Sequence, residues 1–164
     1  LQPGPGVGGH CIAVDPWFIV DSAPDETRLI KLARLVNDEK PYFVIKKIKQ
    51  AVSDISEDVS KLSIACLGLS FKPDIDDLRE SPALEIAKQV SKMGFEKQYI
   101  VEPNIKDLPD EFNSQFTELV ELEKALVSSD ILLLLVDHLP FKEINLSLLS
   151  GKQVIDTRGA WVSV

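Results

Sequence analysis

The sequence predicts an α/β protein: a long helical segment followed by an open parallel sheet covered on both faces. Three observations carry this expectation. From Lys61 to the end of the chain, strand-like and helix-like stretches alternate, as they do where helices cross between parallel strands. The first strand candidate, Ile64-Ala65-Cys66-Leu67, is apolar on both faces, the mark of a strand inside such a sheet. Before it, apolar residues recur at helical spacing across residues 25–55.

Residues 1–24 read as loop, broken by Pro3, Pro5, Pro16 and Pro24. Asp25-Glu26 suit a helix N-terminus, and Leu29, Ile30, Leu32, Ala33, Leu35 and Val36 follow with helical period. Pro41 removes a helical hydrogen bond and is expected to kink or restart the helix. The pattern then resumes through Val44, Ile48, Ala51, Val52 and Ile55. This stripe is wider than the short loop region can cover. Its cover is either a domain upstream or a second copy of the chain.

The sheet unit begins with the strand at 64–67, where Cys66 is expected to be structural. A helix over 81–93 opens with Ser81 and Pro82 and stops at Gly94. Strand 98–101, helix 121–128, strand 131–136, a short helix near 141–149 and strand 153–156 complete the order.

With 18 basic and 26 acidic residues the chain carries a net charge of −8, which excludes general binding to nucleic acid or anionic membranes. A phosphate ligand stays compatible where a few cations converge. The longest apolar run, 131–136, is far short of the roughly 20 residues that a membrane span needs. Two cysteines in unlike contexts point to reduced thiols and a cytoplasmic protein. A start at Leu1 inside a glycine-rich stretch is expected of a piece of a longer protein.

Chemistry concentrates first in Gly4-Pro5-Gly6-Val7-Gly8-Gly9-His10-Cys11-Ile12-Ala13-Val14-Asp15-Pro16. Glycines allow close approach of backbone to ligand, and a thiol at the end of such a run is accessible as a nucleophile, with Asp15 four residues on. Gly4-x-Gly6-x-x-Gly9 also matches a dinucleotide fingerprint, but no strand precedes it and the prolines are not expected to open a helix, so it is rejected as a pyrophosphate loop. The second concentration is the loop from Gly68 to Pro82. It places Lys72 and Arg79 at a strand's C-terminal end beside a helix start, where doubly wound sheets bind ligands. These cations either hold a phosphate or pair with Asp74, Asp76, Asp77 and Glu80. His138 is expected to be structural, Arg158 is a further phosphate candidate, and no spacing suggests a metal site.

In order along the chain, GPGVGGHCIAVDP (4–16), LARLVND (32–38), GLSFKPDIDDLRESPALEI (68–86), LLLVDHLPFK (133–142) and DTRGAW (156–161) resemble the UDP-glucose/GDP-mannose dehydrogenase family. GGHCIAVDPWFIV and the terminal DTRG-W are similar to its bacterial branch acting on UDP-N-acetyl-D-mannosamine. The resemblance implies the end of a central dimerisation domain over 1–58 and a Rossmann-like UDP-sugar-binding domain over 59–164. It implies a four-electron oxidation at C6 of a UDP-sugar with NAD as cofactor, in support of surface polysaccharide synthesis. Cys11 would form a thiohemiacetal and then a thioester, with Asp15 positioning water or a catalytic amine. Gly8, Gly9, His10, Phe71, Lys72 and Arg158 would bind substrate, Arg79 would reach the NAD pyrophosphate, and the helix at 25–55 would form a homodimer. The family's NAD-binding domain and catalytic Lys and Asn precede the glycine loop, so the chain alone is expected to be inactive. The alternative is a non-catalytic nucleotide-sugar-binding or oligomerisation module.

Overall fold

The computed structural model describes residues 2–56, 58–112 and 115–161. The outermost residues of both expected domains, Leu1 and Val162 to Val164, lie outside the described residues.

The first difference from expectation is a helix in the region read as loop. Helix α1 (His10–Ser22) starts directly after Gly9, whose φ of 95° turns the chain into it. The glycine loop is therefore followed by a helix after all, although no strand precedes it. Cys11 stands on the first turn of this helix rather than in a loop. Pro16 lies inside α1, and its ring supplies no N–H to the Ile12 carbonyl one turn earlier. A side chain from elsewhere takes that carbonyl, as described below. Pro24 does lie beyond the helix end.

The 25–55 segment forms two helices, α2 (Arg28–Asp38) and α3 (Lys40–Ile55), joined at Glu39. Pro41 sits in the first turn of α3, where a missing N–H costs little, so the expected restart is what occurs. The stripe does not act as one surface. Val44, Ile48 and Ala51 of α3 are buried in the same core as Ile64, Cys66, Ile86, Val90, Ile100 and Leu133 of the sheet unit. Leu29, Leu32, Leu35 and Val36 of α2 instead stay 44–79% exposed. The sheet unit thus supplies a cover for α3 that sequence reasoning did not consider.

Strands β1 (Ser63–Leu67), β2 (Lys97–Val101), β3 (Thr117–Leu119), β4 (Ile131–Leu134) and β5 (Gln153–Asp156) form one all-parallel sheet in the order β3-β2-β1-β4-β5. Strand β3 was not anticipated, because the three residues Thr117-Glu118-Leu119 are too few and too polar to show a period. Helix α4 (Pro82–Val90) is capped by Ser81, whose hydroxyl accepts from the Leu84 amide at 3.3 Å. Helix α5 (Leu122–Ser128) lies between β3 and β4, and a four-residue helix α6 (Leu139–Lys142) with a 3₁₀ turn (Leu146–Leu149) replaces the single short helix expected near 141–149.

Side chains of β1 alternate between two cores. Ile64 and Cys66 face α3 and α4, whereas Ala65 and Leu67 face Ala125, Leu126, Phe141 and Trp161. Cys66 is fully buried, and burial pushes its thiol up to about 12, so it is inert and structural as expected.

Because β2 and β4 flank β1 on opposite sides, the chain reverses direction across the sheet there, which opens a crevice at the C-terminal strand ends. Glu102, just past β2, organises this edge. Its carboxylate is 3% exposed. Oε2 accepts from the Leu69 amide (2.7 Å), the Ser70 amide (3.1 Å) and His138 Nε2 (3.0 Å). Oε1 accepts from Asn104 N and Nδ2, both at 3.2 Å. His138 Nδ1 in turn accepts from the Asp74 amide at 2.9 Å, which assigns the imidazole as neutral with its proton on Nε2. Burial pushes the Glu102 carboxyl up, but the bonds from His138 and the two amides outweigh it and hold the group below 4.5.

A depressed folded-state value means that the unfolded chain takes up this proton first. The carboxylate's stabilisation is complete above 4.5 and is lost as pH falls through the lower folded value. Glu102→Gln should therefore flatten the acid limb of stability in urea unfolding, and Glu102→Ala should cost about 3 kcal/mol at neutral pH. An acid limb unchanged in Glu102→Gln would refute this account.

Candidate functional site

The glycine loop is clamped from two sides. A Cβ on Gly8 would overlap the Glu80 carbonyl, and one on Gly9 would stand 2.9 Å from the Phe71 ring, so only glycine permits this approach of loop 4–9 to loop 68–82. From the other side, the Asn37 side chain pairs with Val7 like a neighbouring backbone. The Val7 amide donates to Oδ1 at 2.7 Å, and Nδ2 donates to the Val7 carbonyl at 3.1 Å. Arg34 lies beneath, buried, with Nη1 at 3.5 Å from the Val7 carbonyl and 3.4 Å from the Ile12 carbonyl, and Nη2 at 2.6 Å from Asp38.

This clamp aims the N-terminus of α1 at the second loop. His10 and Cys11 are exposed on its first turn, with Cys11 Sγ 3.7 Å from His10 Nδ1. Asp15 is exposed one turn later on the same face. Cys11 lies close enough to Arg79, and His10 to Asp77, for their charges to interact.

Loop 68–82 is rigid for its length. Asp74 (φ 61°) and Glu80 (φ 49°) hold left-handed conformations that are uncommon outside glycine. At Asp74 the cost is offset by bonds to His138 and by the carboxylate, which accepts from the Leu139 amide at 2.9 Å. Ser70 donates to the Lys72 carbonyl at 2.8 Å. Lys72 itself is exposed and makes no ion pair among the described residues. Arg79 does pair: it forks onto Asp77 through Nε (3.0 Å to each oxygen) and Nη2 (2.6 Å). That hydrogen bonding draws the Asp77 carboxyl down to about 2. The two alternatives left open by the sequence are thus divided between the two cations.

A cleft of about 600 Å³ lies between the glycine loop and the C-terminal edge of the sheet. Gly4, Gly6, Gly8, Ile12, Val36 and Asn37 line it on one side, and Phe71, Lys72, Thr157 and Arg158 on the other, with Lys40 at the start of α3. Arg158 Nε lies 2.7 Å from Asp137 Oδ1. Burial raises the Asp137 carboxyl, but the charge of Arg158 and the bond from Lys142 hold it below its ordinary value. Of the residues singled out from sequence, Gly8, Phe71, Lys72 and Arg158 meet here. Gly9 backs Phe71 from behind. His10, Cys11, Asp15 and Arg79 lie outside the cleft's lining, around the α1 N-terminus.

Lys40, Arg34, Asn37 and Glu102 carried no assigned role in the sequence. Arg34, Asn37 and their Asp38 partner fall within LARLVND, so the motif was visible while its contacts were not. Lys40 and Glu102 stand in no pattern, and only the fold brings them to the site. Chemically, cations and an aromatic ring beside close-packed glycines suit an anionic, partly apolar ligand such as a nucleoside diphosphate. Among the described residues no group of three or more His, Cys, Asp or Glu could hold a metal ion, and no helix is long and apolar enough to cross a membrane.

Comparison with known proteins agrees in both halves of the chain. Residues 65–163 match the UDP-binding domain of the UDP-glucose/GDP-mannose dehydrogenase family, and residues 1–39 match that family's central domain. The chain is 52% identical to the UDP-N-acetyl-D-mannosamine dehydrogenase of Escherichia coli (strain K12), over 98% of this chain and 39% of that protein. It is 54% identical to the NDP-N-acetyl-D-galactosaminuronic acid dehydrogenase of Ralstonia nicotianae, over 98% of this chain and 37% of that one. The solved UDP-D-ManNAc dehydrogenase of Pyrococcus horikoshii superposes with a TM-score of 0.78 at 29% identity, covering 96% of this chain and 36% of that chain. The chain therefore spans about two fifths of the length of the relatives it matches. By domain match, identity and fold, it belongs to the UDP-glucose/GDP-mannose dehydrogenase family.

Proposed function

We propose that this chain is the substrate-binding, thiol-bearing part of an NAD-dependent dehydrogenase that oxidises C6 of UDP-N-acetyl-D-mannosamine to a carboxylate. The observation that carries the reading is the convergence of Lys72, Arg158, Lys40 and Phe71 with the glycine loop in one cleft, in a chain of net charge −8. The 52% identity to a UDP-N-acetyl-D-mannosamine dehydrogenase supports the choice of sugar.

In this reading residues 1–58 are the end of a central domain and 59–164 the UDP-binding domain. Lys72 and Arg158 neutralise the diphosphate. Lys72 has no carboxylate to give up, whereas Arg158 brings Asp137 with it. Phe71 packs against the ligand's apolar faces, and Gly8, Gly9 and His10 present backbone to the sugar. The Cys11 thiol adds to the C6 aldehyde: a carbon–sulfur bond forms and the former carbonyl oxygen takes a proton. Oxidation of this adduct at C6 gives a thioester. Water, positioned by Asp15, then attacks the carbonyl, the carbon–sulfur bond breaks, and carboxylate and thiol result.

NAD, when bound, supplies the hydride acceptor for both oxidations. Arg79 fits one part of it, as an exposed guanidinium beside the Cys11 turn that can meet an anionic phosphate. The glycine loop does not fit as its seat, because no strand leads into it. The chain alone is accordingly expected to bind UDP without forming NADH. Its partner in assembly is a second copy, which covers the exposed apolar residues of α1 and α2, among them Phe18, Leu29 and Leu32.

Three measurements check these assignments. Isothermal titration of the chain with UDP should show Lys72→Ala weakening binding about 10- to 150-fold while Arg79→Ala leaves it unchanged, and equal affinity in Lys72→Ala would remove the cleft from the argument. In the full-length protein, Cys11→Ser should stall at or before the ester stage, since a hydroxyl is a much poorer nucleophile at neutral pH. Full two-step turnover would exclude Cys11. Light scattering should report a dimer that Leu32→Lys with Leu35→Lys dissociates; a stable monomer at micromolar concentration sinks the assembly proposal.

A further inference from the structure

We infer that Arg34 is a positioning residue that holds the Cys11 turn in place by substituting for the hydrogen bond that Pro16 removes. The inference rests on the reading of Cys11 as the nucleophile. In an α-helix the amide of residue 16 would donate to the carbonyl of residue 12. Pro16 has no such amide, so the Ile12 carbonyl, adjacent to Cys11, loses its helical partner. Nη1 of Arg34 reaches that carbonyl at 3.4 Å.

The same nitrogen has a second N–H, and it reaches the Val7 carbonyl at 3.5 Å. One guanidinium corner thus ties the glycine loop before Cys11 to the helical turn after it. The residue is 9% exposed, and its charge is balanced by Asp38 at 2.6 Å, one helical turn along α2. Its Nε is buried without a partner among the described residues. The side chain is therefore not placed to satisfy all its own donors. Its engaged donors meet two backbone carbonyls and the carboxylate that balances its charge, and the carbonyls flank the thiol. A lysine here could keep the charge opposite Asp38 but has no planar fork to span both carbonyls. Arg34 touches no reacting atom in this scheme and acts through backbone geometry alone.

Amide hydrogen exchange on the chain tests the inference. Arg34→Met should speed exchange across residues 10–15 by about tenfold or more, leaving the amides of β1 and β4 at their original rates. Arg34→Lys should show most of that effect. Adding Pro16→Ala, which restores an amide to donate to Ile12, should return exchange in Arg34→Met to within about threefold of the parent. Uniform acceleration through the sheet, or no recovery on adding Pro16→Ala, overturns the inference. Should Arg34→Met not fold, the comparison runs on Arg34→Lys with and without Pro16→Ala and has the same two outcomes.

In the full-length protein, Arg34→Lys should lower kcat about tenfold with the UDP-sugar KM nearly unchanged. A change confined to KM would place Arg34 with the binding cleft and overturn the positioning role. Undiminished two-step turnover by Cys11→Ala would instead overturn the nucleophile reading, while leaving the exchange result on Arg34 to stand.

Discussion

Everything above the sheet depends on one buried carboxylate. Glu102 receives amides from the segment after β1, the imidazole from the segment after β4, and Asn104 from its own loop, so three strand ends are tied to one pair of oxygens. A buried charge is costly unless its lone pairs are filled, and here five donors fill them. Because His138 spends its proton on Glu102, its other nitrogen is free to accept the Asp74 amide. That fixes the left-handed turn at Asp74 and, two residues before it, the position from which Lys72 faces the cleft.

The helical and sheet parts of the chain are joined as firmly. Helix α3 is a layer of the sheet unit's own core, since Ile48 is fully buried among residues of β1, β2, β4 and α4. What remains uncovered is the α1–α2 face. The division suggested by sequence, helices on one side and sheet on the other, thus runs through a shared core rather than around it.

How much of this could be read in advance follows from how local each signal is. The strands at 64–67, 98–101, 131–136 and 153–156 and the helix from Ser81-Pro82 to Gly94 were legible, because apolar runs and capping residues act over a few positions. Helix α1 was illegible because Gly9 and Pro16 are breakers in isolation. The helix survives by drawing on Arg34, 18 residues beyond that proline. Strand β3 is too short for a period, and the pairing of Glu102 with His138 spans 36 residues with nothing in either neighbourhood to announce it. At the site, Lys72, Phe71 and Arg158 stood in motifs and were found. Lys40, alone on a helix, was not.

The contact between Gly8 and the Glu80 carbonyl has a metric consequence. Backbone meets backbone there with no side chain to flex between them, and Phe71 closes on Gly9 beside it. The cations of the cleft and the thiol on α1 therefore belong to one inextensible body, and the span between them works as a ruler. A ligand anchored by its phosphates at Lys72 is measured by that span. Only a linkage of matching length brings its far carbon to sulfur, so the frame itself screens for a sugar attached through a diphosphate before any hydroxyl is read.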